Sequence, residues 1–200
     1  MKILKEIKSE LEGSLRDLTS DIKDQHRNLN SAKIIRNTVL YGKKHNDSLN
    51  EHFLLMIDHE SLTAKVSAFE SLQSVGLEII SNDTIRQKIT TTYLYMKKFT
   101  NEESDANRAA SKLASLLEPY IVLNRAKFIS DPELTNRSYW GRKIPIKFIN
   151  YDVLLRDELF FISLMDSIES RNGEIFYSEL FKKGIEEVIS DITRELKRLE

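Results

Sequence analysis

Residues 2–41 read KILKEIKSELEGSLRDLTSDIKDQHRNLNSAKIIRNTVLY. Leu4, Ile7, Leu11, Leu15, Leu18, Ile22, Leu29, Ala32 and Val39 return every three or four positions, with Gln25 and Arg36 at two of the seam positions and Lys and Glu on the other faces. That is a heptad-like stripe. It predicts a single amphipathic helix over 2–41, about 60 Å long at ~1.5 Å per residue. Gly13 costs this helix about 1 kcal/mol without breaking it. Gly42, followed by KKHND, is a stop signal, and Lys43 and Lys44 suit the negative end of the helix dipole.

The far end of the chain repeats the pattern. Leu159, Ile162, Met165, Ile168, Ile175, Leu180, Val188, Ile192, Leu196 and Leu199 stripe a second long helix over 157–198, entered through a short turn at 152–155. Gly173 reads as the mark of a bend and Gly184 as a place of close helix packing. A helix of this length draws its stability from packing one face, so each needs a partner. The simplest arrangement packs the two antiparallel, with both termini together. A homodimeric coiled coil through the first helix is the competing arrangement.

Between them, residues 48–128 read as a cluster of shorter helices: 49–58, 62–75 and 83–99, then a fifth opened by Asn101 or Ser104. Leu113, Leu116 and Leu117 line the fifth, and Pro119 kinks or ends it because it lacks an N–H and crowds the preceding turn. Helical pattern resumes over 120–128. Residues 129–150 carry Pro132 and Pro145 and form an irregular connection, with at most a short strand from the alternation Ile144, Ile146, Phe148. The expected fold class is all-α: one domain over 1–200, an elongated helical bundle with two long terminal helices packed antiparallel and shorter helices between.

Composition narrows the function classes. The 30 Lys+Arg against 31 Asp+Glu leave a net charge of -1, so no global field points to nucleic acid or to an anionic membrane. Only 6 Gly and 3 Pro argue against a turn-rich β fold. The absence of cysteine removes disulfides, thiolate nucleophiles and Cys-based zinc sites together. The longest strongly apolar run, residues 159–165, is too short to cross a bilayer. The opening KILKEIKSELEG is charged and helix-periodic, unlike a signal peptide, and the chain as given is expected to be soluble.

The centre of the chain carries a phrase of its own. AFESLQSVG over residues 68–76, IISN over 79–82, then Ile85, Arg86 and Tyr93, resembles the signature "aFeeLkssGnlkli-n-LR-y". That signature belongs to the bacterial domain-of-unknown-function family 6090. LKEIKSELEGSLRDL at the start also looks like that family's segment just after its membrane helix, and the closing DITRELKRLE is similar to its last helix. The match is dispersed over most of the chain, and its specific part is confined to the centre. Members have a basic N-terminus, one membrane helix and a soluble helical domain. The resemblance therefore implies a membrane-anchored protein whose helical domain lies outside the cytoplasm. This sequence departs from that pattern in lacking the membrane helix; without one upstream, a cytoplasmic location is expected. The family brings no catalytic residues, and Phe69, Leu72, Gly76, Asn82 and Arg86 read as core, turn, cap and ion pair.

Four constellations bear on chemistry. His45, His52 and His59 recur every seven residues, about 10 Å apart along a helix, whereas a helical metal pair wants a spacing of three or four; they read as surface histidines. Arg137, Tyr139, Trp140, Arg142 and Lys143 interleave cations with aromatics, a set able to grip phosphate or stack on a base, or else to plug the core through the sole tryptophan. Asp152, Asp157 and Glu158 beside Arg156 read as helix-start carboxylates. Serines are many, but no nucleophile elbow, phosphate loop or dinucleotide fingerprint is present, so neither enzyme activity nor a cofactor or metal is expected. Two readings remain open. One is a non-enzymatic interaction or sensory domain, tethered to a membrane and working with a protein partner or a second copy. The other is a cytoplasmic module binding a nucleotide or other anion through residues 137–143.

Overall fold

A computed structural model describes residues 2–58, 65–101, 104–126 and 145–200. The elements are α1 (Lys2–Leu40), α2 (Ser48–Met56), α3 (Ser67–Val75), α4 (Asp83–Asn101), α5 (Asp105–Leu117), β1 (Ile121–Leu123), β2 (Ile146–Phe148), α6 (Tyr151–Leu154) and α7 (Glu158–Leu199). The fold is all-α, a helical bundle whose two long terminal helices pack against each other. The chain divides into two compact units, and both long helices contribute to each.

Among described residues the first unit holds 2–23, 65–101, 104 and 175–200. Its core joins Leu4, Ile7, Leu11 and Leu18 of α1 to Phe69 and Leu72 of α3, Ile85, Ile89, Tyr93 and Met96 of α4, and Ile185, Val188, Ile192 and Leu196 of α7. Each fully buried aliphatic side chain here contributes about 1.5–3 kcal/mol by leaving water. The start of α1 lies beside the end of α7, with Lys5 Nζ 3.5 Å from the Glu200 carboxylate. Gly76 ends α3 at φ 98°, a conformation that L side chains rarely adopt. Asn82 Oδ1 accepts from the Ile85 amide at 3.3 Å and opens α4, and Arg86 pairs with Asp83 at 2.6 Å. The central phrase of the sequence is thus core, turn, cap and ion pair.

The second unit holds 24–58, 105–126 and 145–174. Here the latter part of α1 meets the first part of α7, the same antiparallel order. Leu29, Ala32 and Ile35 are buried with Leu49, Phe53 and Met56 of α2, Leu113 and Leu117 of α5, and Phe160, Leu164 and Ile168 of α7. Within the helix expected over 120–128, residues 121–123 instead form the strand β1, which pairs antiparallel with β2 in the register Ile121↔Phe148, Val122↔Lys147, Leu123↔Ile146; residues 125–126 are helical, and 127–128 lie outside the described residues. Pro119 lies in a 3-10 turn that closes α5, β-branched Ile121 and Val122 favour extended backbone, and alternating Ile146 and Phe148 supply the partner.

One expectation about α7 is also corrected. The helix runs without interruption through Gly173. Gly184 permits no close approach among described residues, because a Cβ built there meets nothing within 4 Å.

Candidate functional site

The polar groups of the second unit gather along one seam. Ser163, Ser167 and Arg171 follow one another at four-residue spacing on α7 and therefore share a face. All three are buried, as are Asn28 and Ser31 on α1. Arg171 is 2% exposed, and its Nη2 donates to the carbonyls of Met56 at 3.0 Å and Asp58 at 2.7 Å. Those are carbonyls at and just beyond the end of α2, where intrahelical donors have run out and a cation is favoured. Ser31 Oγ and His52 Nδ1 share a hydrogen bond of 3.1 Å. Such an arrangement fixes α2 against α7 and commits the guanidinium to structure.

Beside it stands an aromatic cluster. The His45 ring lies 5.0 Å from both Phe148 and Tyr151, and Phe53 lies 4.6 Å from Phe148. Tyr151 donates to the Lys43 carbonyl at 3.1 Å, and burial, with Asp152 adding to it, pushes its phenol pKa up. His45 Nε2 pairs with Asn50 Oδ1 at 2.8 Å, and Asn50 donates to the Ile146 carbonyl at 3.2 Å. The histidines expected at the surface are thus half-buried and partnered at positions 45 and 52; His59 lies outside the described residues. Among the described residues, no group of three His, Asp or Glu could hold a metal ion.

In the first unit Glu10 is the polar node. Its carboxylate accepts from the Tyr93 hydroxyl at 2.7 Å, from the Ser67 hydroxyl at 2.7 Å and from the Ala68 amide at 2.8 Å. A carboxylate from α1 thereby satisfies an orphan donor at the start of α3. Burial and the neighbouring Glu10 carboxylate push the Tyr93 phenol far up from its ordinary value. A shallow groove of about 290 Å³ also lies in this unit, between the start of α1 and the end of α7, where Lys5, Lys8 and Lys197 alternate with Glu12 and Glu200 over Leu196. Four of its charges are paired, Lys8 with Glu12 at 2.8 Å and Lys5 with Glu200.

The sequence-predicted binding residues Arg137, Tyr139, Trp140, Arg142 and Lys143 lie outside the described residues. Asp157 is a cap, as its position suggests: its Oδ1 accepts from the Phe160 amide at 3.0 Å, and its Oδ2 from the Tyr120 hydroxyl at 2.7 Å. The Phe160 amide, then the Tyr120 hydroxyl, hold its carboxyl below the ordinary 3.8. Asp157→Ala is expected to cost about 1 kcal/mol at neutral pH, the usual worth of an N-cap. Because the folded pKa is depressed, this contribution is present above pH 3.8 and is lost as pH falls through the folded value. Chemical denaturation of both proteins at neutral pH and at pH 3 checks it: the gap should narrow in acid.

The outward face of α7 differs from the expected pattern. Leu159, Ile162, Met165 and Leu180, read from sequence as core, are exposed, together with Phe176 (58%) and Tyr177 (61%). The buried register is instead Phe160, Leu164, Ile168 and Ile175. Leu159, Ile162 and Met165 belong to the second unit and Phe176, Tyr177 and Leu180 to the first, and within each unit the three lie on the side of α7 away from its buried residues. Gly173 lies among them, and a Cβ added there also meets nothing within 4 Å.

No known protein family matches the chain, and no curated protein or solved structure does.

Proposed function

We propose that the chain is a non-enzymatic helical interaction domain that holds a protein partner on the outward face of α7. The supporting observation is that face: Leu159, Ile162 and Met165 in the second unit, and Phe176, Tyr177 and Leu180 in the first, are large apolar side chains left in water, and an apolar cluster kept in water often marks an interaction site. The polar clusters are turned inward to helix ends and turns, which suits a scaffold. The resemblance at the two ends and centre of the sequence supports a membrane tether in the natural setting. Among the described residues no helix is long and apolar enough to cross a membrane. An apolar span encoded upstream of Met1 is the test of that tether.

A photo-crosslinking residue placed at Phe176, in cells making the protein, tests the interaction. Adducts to protein are expected from position 176 and not from the exposed, polar Glu186. Equal yields from both positions, or none from either, would contradict the proposal.

A further inference from the structure

Within the second unit, the outward side of α7 carries charge of one sign. Its exposed residues between 158 and 174 are the apolar Leu159, Ile162 and Met165, the acids Glu158, Asp166 and Glu169, and Asn172. At about 3.6 residues per turn the three apolar and three acidic side chains share about 120° of the helix surface. They lie on the side away from the buried Phe160, Leu164 and Ile168. We infer that this stretch docks an amphipathic helix of a protein partner, one whose apolar stripe is flanked by Lys and Arg. The inference rests on the interaction reading above and names the chemistry of the partner.

Charge selects the occupant. Among the described residues no Lys or Arg pairs with Glu158, Asp166 or Glu169. The one base on this part of α7 is Arg171, which is buried and committed to the Met56 and Asp58 carbonyls. Exposed Arg156 stands ahead of the helix, in sequence between Asp152 and the acids Asp157 and Glu158. The apolar residues are thus bordered along the helix by acids alone, and bases on an incoming helix complement them. An anionic membrane or a nucleic acid would be repelled by the same acids. A second copy of this stretch is disfavoured too. Laid antiparallel about Ile162 it sets Glu158 against Asp166, and laid parallel it sets each acid against itself, a costly juxtaposition in either direction. The part of α7 in the first unit makes no such choice, since it exposes both signs, Glu179 and Glu187 as well as Lys183 and Arg194.

Spacing selects a helix as the partner's form. From Glu158 to Glu169 the stretch runs about 16 Å, or three turns. Side chains three and four apart form ridges that fit the grooves of a second helix, with apolar anchors read at the same spacing. Met165, unbranched and polarizable, adapts to whatever side chains it meets there.

The probe is a fluorescent peptide of Leu and Lys only, about 18 residues or five turns long, with its leucines in one helical stripe. The same peptide with Glu for every Lys is its control. Anisotropy with the whole chain is expected to show binding of the Lys peptide and none of the Glu peptide. Raising salt from about 0.1 M to about 1 M should weaken binding several-fold, because the screening length shortens from ~10 Å to ~3 Å. Ile162→Lys should weaken it at least about tenfold, and Asp166→Lys with Glu169→Lys about tenfold while turning preference to the Glu peptide. Phe176→Lys, in the first unit, should leave it unchanged. All these positions are exposed, so the helical circular dichroism spectrum should be that of wild type. No binding, equal binding of both peptides, or binding indifferent to the Ile162 and acid substitutions would overturn the basic helix. A photo-crosslinking residue at Ile162, in cells, separates this from the interaction reading. An adduct mapped to a basic amphipathic segment is expected. One mapped to an acidic or uncharged segment would overturn the basic helix and leave the interaction reading standing.

Discussion

Replacing Arg171 by methionine is expected to cost about 3–5 kcal/mol, enough to remove a large share of a domain's usual ~5–15 kcal/mol. The guanidinium is 2% exposed and donates to the Met56 and Asp58 carbonyls. Hydrogen bonds from a charged donor are worth roughly 1.5–3 kcal/mol each, and every buried carbonyl stranded without a donor forfeits about 1–3 kcal/mol more. Methionine fills most of the volume, so the cavity term is small and the loss reports the polar contacts. Arg171→Lys should fall between: the ammonium keeps a charge at the end of α2 but has no planar fork to reach two carbonyls at once. Urea unfolding followed by circular dichroism checks both, with a midpoint shift of about 2 M for the methionine variant. A loss under ~1 kcal/mol would mean that water already serves those carbonyls and that Arg171 anchors nothing.

Arg171 also shows what could be read in the sequence and what could not. The position lies one turn beyond Ser167 and two beyond Ser163, on the side of α7 that carries Phe160, Leu164 and Ile168. An arginine at a buried phase of a helix is a readable signal, but only once the buried phase is known. There the sequence is ambiguous, because α7 has two apolar faces. Leu159, Ile162 and Met165 make as good a three-residue stripe as Phe160, Leu164 and Ile168 make a four-residue one. Periodicity establishes that a helix exists and does not choose which stripe meets the core.

For α1 there is a single stripe through Leu18, and Leu4, Ile7, Leu11 and Leu18 were legible as core at once. Local chemistry was legible too: the Asn82 and Asp157 caps and the Gly76 turn depend on neighbours within four residues. Contacts between residues far apart were not. Ile121–Leu123 becomes a strand only because Ile146–Phe148 lies alongside, and Glu10 becomes a cap for α3 only because α1 passes it. The aromatic and basic residues 137–143, the most suggestive cluster in the sequence, lie outside the described residues.

Phe69→Ala is the other substitution expected to be severe, at about 3–5 kcal/mol. The ring is 1% exposed and stacks on Tyr93, 0% exposed, at a centroid distance of 4.5 Å with planes 3° apart. Truncation removes the transfer energy of the ring, opens a void that rigid α1 and α4 cannot close, and forfeits an aromatic pair worth ~0.5–1.5 kcal/mol. Tyr93→Phe separates the polar part of this contact from the apolar part. It keeps the stack and deletes only the hydroxyl that donates to Glu10, whose carboxylate retains Ser67 and the Ala68 amide, so about 1 kcal/mol is expected. The pH dependence carries the sharper signature. The Tyr93 phenol is pushed up from its ordinary 10.0 in the folded chain, while the unfolded chain releases the proton near that value. Its contribution is therefore complete below pH 10 and declines as pH rises toward the folded value. Wild type should lose stability more steeply than Tyr93→Phe above pH 10, so the two urea midpoints converge there. Parallel curves through the alkaline range would show that the Tyr93 proton is not shared with Glu10, and that Glu10 holds α3 through Ser67 and Ala68 alone.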